Sequence, residues 1–111
     1  MPDVMVNRRA APRYPLVLAA EVTQLSSGMK LHGRTANVSR TGCYVDMLNP
    51  MPAGTQIHVR LVSGAESFET HARVVYVIPG LGMGIAFQGE VSASQIAILN
   101  HWLEEASIAA R

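Results

Sequence analysis

The sequence predicts a mainly β fold, a small six-stranded antiparallel β-barrel followed by a C-terminal α-helix. Apolar residues alternate with polar ones over several short segments, as half-buried strands require. Turn-forming Gly, Pro, Asn and Ser clusters separate these segments, and a helical period is found only near the C-terminus. The chain has 111 residues, which is about one domain. A barrel is expected because closure leaves no exposed sheet edge.

The first two strands follow an N-terminal arm. Residues 1–14 lack a clean period and carry prolines on both sides of Arg13, which indicates a flexible basic arm ahead of a barrel domain at 15–111. The second strand is predicted from position 29 to about position 36. The first strand is indicated by apolar residues at every second position, namely Leu16, Leu18, Ala20 and Val22.

Four further strands follow a polar turn at 37–42. Alternating patterns predict the third strand at 43–48 and the fourth at 57–61. The fifth strand is predicted at 68–78, where a looser pattern with an apolar end indicates deep burial. The last strand is predicted at 83–87, after a Pro-Gly turn.

A helix is predicted from about residue 92. Ser92 is followed three positions later by Gln95, which is the spacing of a capping box, in which each side chain satisfies an unpaired backbone N–H. Trp102 borders the predicted apolar face of this helix. That face is formed by Ile96, Leu99 and Leu103, with Ala106 beyond them.

The composition excludes several classes of protein. Apolar residues make up 49% and charged residues 15% of the chain, which fits one hydrophobic core and not an intrinsically disordered protein. The single cysteine, Cys43, cannot form an internal disulfide and is expected in the core. The N-terminus lacks the apolar stretch of a secretory signal, and no apolar run is long enough to span a membrane. A soluble, cytoplasmic, single-domain protein is expected.

The charge is distributed unevenly along the chain. The formal net charge is +1, but residues 4–40 carry six Arg or Lys against one Glu, and the remainder has a net charge of −4. Arginine occurs eight times and lysine once, and arginine is the residue whose planar fork matches phosphates and guanine edges. The asymmetry indicates a local anion site, although a disordered basic tail would produce the same pattern.

Two motifs lie at the ends of this basic region. Arg9 and Arg13 form an Arg-x-x-x-Arg motif before the first strand, and Asn37-x-Ser39-x-x-Gly42 follows the second strand. Each motif alone is weak. In this order, followed by the strand GMGIAF and a C-terminal helix, they make the chain resemble the PilZ domain family over nearly its whole length.

The resemblance implies a bacterial receptor for the second messenger cyclic di-GMP, which has two guanines and two phosphates. Arg9 and Arg13 would contact guanine and phosphate, because a guanidinium forks onto guanine O6 and N7 or pairs with phosphate. Asn37 and Ser39 would bind another guanine edge, although many family members have Asp in place of Asn37. Gly42 would supply either a positive φ or a close approach of backbone to ligand.

The resemblance assigns three more residues to the site. An arginine at the position of Arg8 favours a stacked pair of ligands, because a third cation helps to offset four phosphates. Tyr76 matches a position where relatives often place an aromatic residue near the ligand. Arg40 could touch a phosphate or remain solvated.

A non-catalytic receptor is therefore predicted, with no cofactor and no metal. Ligand capture would order the arm and change the surface offered to a protein partner in motility, exopolysaccharide synthesis, chemotaxis or transcription. A ligand-independent PilZ-like adaptor is the main alternative. A single-stranded nucleic-acid binder is disfavoured by the small number of aromatic residues and the near-neutral total charge. No metal-ligand spacing is found among His32, His58, His71 and His101.

Overall fold

The structure, a computed structural model, describes residues 11–109 of the chain. Within that range the strands are β1 (Ala19–Gln24), β2 (Lys30–Val38), β3 (Gly42–Asp46), β4 (Gln56–Ser63), β5 (Glu66–Ile78) and β6 (Gly82–Gln88), and the helix is α1 (Ala93–Ala109). The strands pair antiparallel and close into a barrel in the order β1-β2-β3-β6-β5-β4. The predicted fold class is confirmed.

The barrel interior is filled by the inward side chains of the alternating strands. Cys43 is fully buried there, as predicted. The largest fully buried side chains are those of Phe68, Ile57, Leu61, Met83 and Ile85. This single core fixes which residues of each strand face outward, and therefore which can form a surface site.

β1 begins later than the alternation predicts, at Ala19 and not at Leu16. The preceding segment is held by a side chain instead of a regular ladder. The buried Thr35 hydroxyl donates to the Leu16 carbonyl at 2.6 Å and accepts from the Leu18 N–H at 2.8 Å. The apolar alternation still reports burial correctly, because Leu18 is buried and Leu16 is half-buried.

Two β-bulges change which residues face outward. In β2, Thr35 pairs with Val45 and Asn37 pairs with Tyr44, so Ala36 is an extra residue. The bulge restarts the alternation, and Asn37 consequently points to the outer face. The predicted polar turn at 37–42 is thus too long: β2 continues to Val38 and β3 begins at Gly42, which leaves a turn of Ser39–Thr41.

A second bulge lies in β5, where the extra residue is Val75 between Val74 and Tyr76. Past this point the strand turns apolar side chains to solvent, and Tyr76 is 44% exposed. The predicted deep burial of the end of this strand is therefore wrong. The inward side chains of β5 are buried as far as Val74, but Val75 and Ile78 beyond it are exposed, as Tyr76 is.

α1 packs against the barrel through Leu99, Trp102 and Leu103, which are buried. Trp102 lies inside this contact and not at its border, whereas Ile96 is 41% exposed, contrary to the prediction for the helix face. The Trp102 indole N–H donates to Glu66 Oε1 at 3.1 Å, which ties the helix to the start of β5. Within residues 11–109, no helix has the length and apolar character needed to cross a membrane.

The N-terminus of α1 contains half of the predicted capping box. Ser92 Oγ accepts from the Gln95 N–H at 3.3 Å, as a capping serine does. The Gln95 side chain does not return to Ser92 in the reciprocal way. It accepts from the Glu69 N–H at 2.7 Å and donates to the Ser67 carbonyl at 3.3 Å, so it fastens the helix to β5.

Candidate ligand-binding site

The structure brings the two sequence motifs together at one end of the barrel. Arg13 Nη1 donates to Asn37 Oδ1 at 2.9 Å, and both side chains are accessible to solvent. The backbone places them there, because Tyr14 and Val38 exchange two N–H to carbonyl hydrogen bonds, of 2.9 and 3.0 Å. The segment before β1 is thereby held beside the end of β2.

Ser39 shapes the turn that follows Asn37. Its N–H donates to the Gly42 carbonyl at 2.8 Å, and its hydroxyl accepts from the N–H groups of Thr41 at 3.1 Å and Gly42 at 3.2 Å. Only 1% of the residue is exposed. The hydroxyl therefore satisfies its own turn, and a contact between Ser39 and a ligand stays a prediction.

Gly42 is required by the packing of β3 on β6. Its φ is not positive, so the left-handed conformation offered as one reason for glycine is wrong. A Cβ at this position would collide with the carbonyl oxygen of Ile85. The close approach that needs glycine is thus between two strands, and an approach of this backbone to a ligand stays a prediction.

Arg40 is exposed in the same turn and lies towards the helix. It lines a cavity of about 410 Å³ and a neighbouring one of about 290 Å³, with Asn100 of α1 common to both. The larger cavity also contains Glu104, whose carboxylate gives that wall a negative charge. Pro12 and Tyr14, the chain neighbours of Arg13, also line the larger cavity, so the Arg13–Asn37 pair lies next to a groove beside α1.

Tyr76 lies in the same row of the sheet as Asn37. The register pairs Asn37 with Tyr44, Tyr44 with Gly84, and Gly84 with Tyr76, across β2, β3, β6 and β5. Directly paired residues face the same side of a sheet, and the Tyr44 and Tyr76 ring centroids are 6.1 Å apart. Tyr44 is a candidate that sequence reasoning missed. The alternation of the third strand placed it outward, but the sequence did not show that β3 lies between β2 and β6.

The pKa values of two neighbouring groups respond to this environment. Burial raises the pKa of the Cys43 thiol to about 12, and the nearby Arg13 charge opposes that rise. Burial also raises the pKa of the Tyr44 hydroxyl, with further contributions from Asp46 and Tyr76. Both groups are therefore neutral at physiological pH, and Arg13 supplies positive charge at this end of the barrel.

Two of the predicted ligand residues, Arg8 and Arg9, lie outside the described residues, together with most of the predicted arm at 1–14. Their roles stay predictions, as does the arm boundary. Among residues 11–109, no three His, Cys, Asp or Glu side chains are grouped as a metal site would require.

Solved structures share this fold. The Bacillus subtilis inhibitor of motility MotI/DgrA superposes with a TM-score of 0.75 at 16% identity, covering 94% of this chain and 53% of its own. The PilZ domain of Escherichia coli YcgR, solved with c-di-GMP, gives 0.72 at 18% identity and coverages of 94% and 95%. The PilZ domain of CeSA from a cellulose-synthesizing bacterium gives 0.62 at 21% identity and coverages of 89% and 98%. At these identities the similarity establishes the fold, and this chain spans about half of the MotI/DgrA chain.

Comparison with curated protein sequences finds no match. Comparison with protein families is more informative, because the PilZ domain matches residues 7–105. That range contains the Arg-x-x-x-Arg motif, the Asn-x-Ser-x-x-Gly motif, the barrel and most of α1. PilZ domains are ligand-binding and adaptor domains, not enzymes, and the family is in general one of cyclic di-GMP receptors. The chain belongs to the PilZ domain family.

Proposed function

We propose that this PilZ domain binds cyclic di-GMP at the end of the barrel where Arg13 meets Asn37. The observation that carries the proposal is the 2.9 Å hydrogen bond between these residues, which lie 24 positions apart in the sequence. Each belongs to a different motif, and a ligand seated between the motifs would contact both. The family assignment supports cyclic di-GMP as that ligand.

Arg13 and Asn37 have the donors and acceptors that guanine and phosphate need. Arg13 uses one N–H of its guanidinium on Asn37, and the other N–H groups can fork onto guanine O6 and N7 or onto a phosphate. Asn37 Oδ1 has a second lone pair for a guanine N–H, and its amide can donate to a guanine acceptor. The Arg13–Asn37 bond therefore prepares the site, and ligand binding loosens or replaces it.

Arg8 and Arg9 complete the proposed site. Arg9 supplies the second guanidinium of the motif, and Arg8 adds the charge that favours a stacked pair of ligands over a single one. Their closure over the ligand would bring the part of the arm ahead of residue 11 against the barrel, beside the segment that Tyr14 already holds to Val38. Arg40 lines the two cavities beside α1 and makes no hydrogen bond with Arg13 or Asn37 in this structure, so we assign it a smaller contribution.

The output of this receptor is proposed to be a protein contact. Closure of Arg8 and Arg9 over the ligand would add surface next to the cavity beside α1, because Pro12 and Tyr14, which follow them in the chain, line that cavity together with Arg40 and Glu104. A partner that reads this surface would belong to motility, exopolysaccharide, chemotaxis or transcription machinery. Cyclic di-GMP is an intracellular messenger, so the proposal also assigns the protein to the bacterial cytoplasm.

Titration calorimetry with cyclic di-GMP tests the proposal. Wild type is expected to bind at micromolar concentrations, and Arg13→Ala should weaken binding at least about tenfold, since it removes charge-assisted contacts. Arg60→Ala is the matched control. It removes an arginine from β4, which does not pair with β2, and which carries Arg60 at 3.9 Å from Glu69. Absence of binding heat in the wild type at tens of micromolar would contradict the proposal and favour the ligand-independent adaptor.

A further inference from the structure

Two glycines on the outer face of β6 each leave space for a tyrosine ring. A Cβ at Gly82 would collide with the Val45 carbonyl oxygen, and it would also come within 2.8 Å of the Tyr44 hydroxyl and 2.9 Å of its ring edge. A Cβ at Gly84 would overlap the ring of Tyr76. Gly82 and Gly84 are two positions apart and share one face of the strand. Both rings therefore lie across β6, in space that side chains of this strand would otherwise occupy.

The arrangement turns aromatic surface towards solvent. One side of each ring is covered by strand backbone, and Tyr76 is 44% exposed while Tyr44 is half-buried. The ring centroids are 6.1 Å apart and the ring planes are inclined by 31°, so the two rings are neighbours on this face of the barrel. Glycine inside a strand weakens the strand and often marks a close approach by a ligand or by other backbone. Two such glycines under two tyrosines indicate a surface for a planar group.

This surface begins at the candidate site. Tyr44 is the register partner of Asn37, and adjacent strands are separated by about 4.8 Å. A purine that reached from the Asn37 amide across β3 would meet the Tyr44 ring where it lies over β6, with Tyr76 beyond it. Stacking on tyrosine is sequence-tolerant and matches the flat face of a guanine.

We propose that Tyr44 is a ligand-binding residue, which with Tyr76 forms a stacking surface for a guanine of the bound nucleotide. The inference rests on the proposed function, because it takes the ligand to be cyclic di-GMP. It adds a residue that neither motif contains. It also gives Gly84 a role, because a side chain at that position would displace the Tyr76 ring.

Calorimetry on tyrosine variants tests the stacking surface. Tyr44→Leu should weaken cyclic di-GMP binding about five- to 150-fold, the range of one stacked base, and Tyr44→Phe should retain most of the affinity. Leu81→Ala is the control, because it shortens an exposed apolar side chain just before β6 without removing a ring, and its affinity should equal that of the wild type. Urea unfolding of each variant checks that the barrel is intact.

Proton NMR supplies a readout that a purely structural role for Tyr44 would not change. The guanine H8 signal of cyclic di-GMP should shift upfield on binding to wild type and to Tyr44→Phe, and this shift should diminish with Tyr44→Leu. If wild type binds and Tyr44→Leu leaves both affinity and the H8 shift unchanged, the stacking surface is wrong and the proposed function stands. If wild type fails to bind, the proposed function itself fails.

Discussion

Arg13 Nη1 lies 2.9 Å from Asn37 Oδ1, so a ligand that uses the Asn37 carbonyl oxygen has to share it with an arginine of the same protein. This exposed hydrogen bond contributes little net free energy, because water competes for both of its partners. A ligand that offers Arg13 a phosphate or guanine acceptor replaces the lost contact. The geometry therefore favours a ligand that replaces Asn37 as the partner of Arg13, and it does not require a new pocket to form.

Asn37→Asp is expected to tighten cyclic di-GMP binding several-fold. A carboxylate has two acceptor oxygens, so one can hold Arg13 while the other accepts from the guanine N1–H and N2–H. Asn37→Ala should weaken binding about tenfold. Calorimetry measures both, with Asn49→Asp as a control for added negative charge outside the site. Weaker binding by Asn37→Asp than by Asn37→Ala would contradict this account.

Gly42→Ala is expected to lower the free energy of unfolding by about 3 kcal/mol, since the new Cβ meets the Ile85 carbonyl and β3 must move from β6. Gly28→Ala is the comparison. Gly28 has a φ of 77° but open space around its Cβ position, so strain alone should cost about 1 kcal/mol. Urea unfolding compares the two. Equal losses would show that crowding at Gly42 costs no more than the backbone strain at Gly28.

The pKa of Cys43 predicts a pH dependence of stability. Burial raises this pKa from an ordinary value of 9.0 to about 12 in the folded state, so the contribution to stability is fully present below pH 9.0 and is lost as pH rises towards 12. Relative to Cys43→Ala, the wild-type free energy of unfolding should fall by roughly 1.4 kcal/mol per pH unit in that window. Urea unfolding at several pH values measures it, and parallel curves for the two proteins would refute it.

Trp102 anchors the helix by packing and by one hydrogen bond. Trp102→Phe should destabilise the protein by about 1–2 kcal/mol, since it loses part of the ring and the bond to Glu66. Glu66→Gln retains an acceptor and should change stability little. Because this contact lies outside the proposed site, neither variant should alter affinity for cyclic di-GMP. Thermal unfolding checks the expected stabilities, and calorimetry checks the expected affinities. A loss of affinity in Glu66→Gln would show that the helix and the site are coupled.

The alternation of apolar residues was sufficient to predict the strands, because a two-residue period reports burial directly. It failed at Tyr76, where an extra residue in β5 restarts the period, and it did not show that β2 continues through a bulge to Asn37, because a bulge has no reliable sign in one sequence. Gln95 was misassigned for a different reason. Its side chain found partners on β5, which only the packed helix brings near.

The motifs of the candidate site could be predicted from the sequence, but the contacts that their side chains make could not. Resemblance to a family brought Arg13 and Asn37 together correctly, whereas the inward hydroxyl of Ser39 and the role of Gly42 follow from the local turn and the neighbouring strand. Tyr44 was missed because strand order is non-local: β3 lies beside β6, far along the chain.

The turn Ser39–Thr41 has a thermodynamic consequence for any partner that binds beside α1. It follows the end of β2, which carries Asn37, and its Arg40 lines both cavities of the groove. Linkage is reciprocal. If a partner prefers the ligand-bound form of this turn, the ligand raises the affinity for the partner, and the partner raises the affinity for the ligand by the same factor. The messenger concentration that activates such a complex is then lower than the dissociation constant of the isolated domain, and it is set jointly by both proteins.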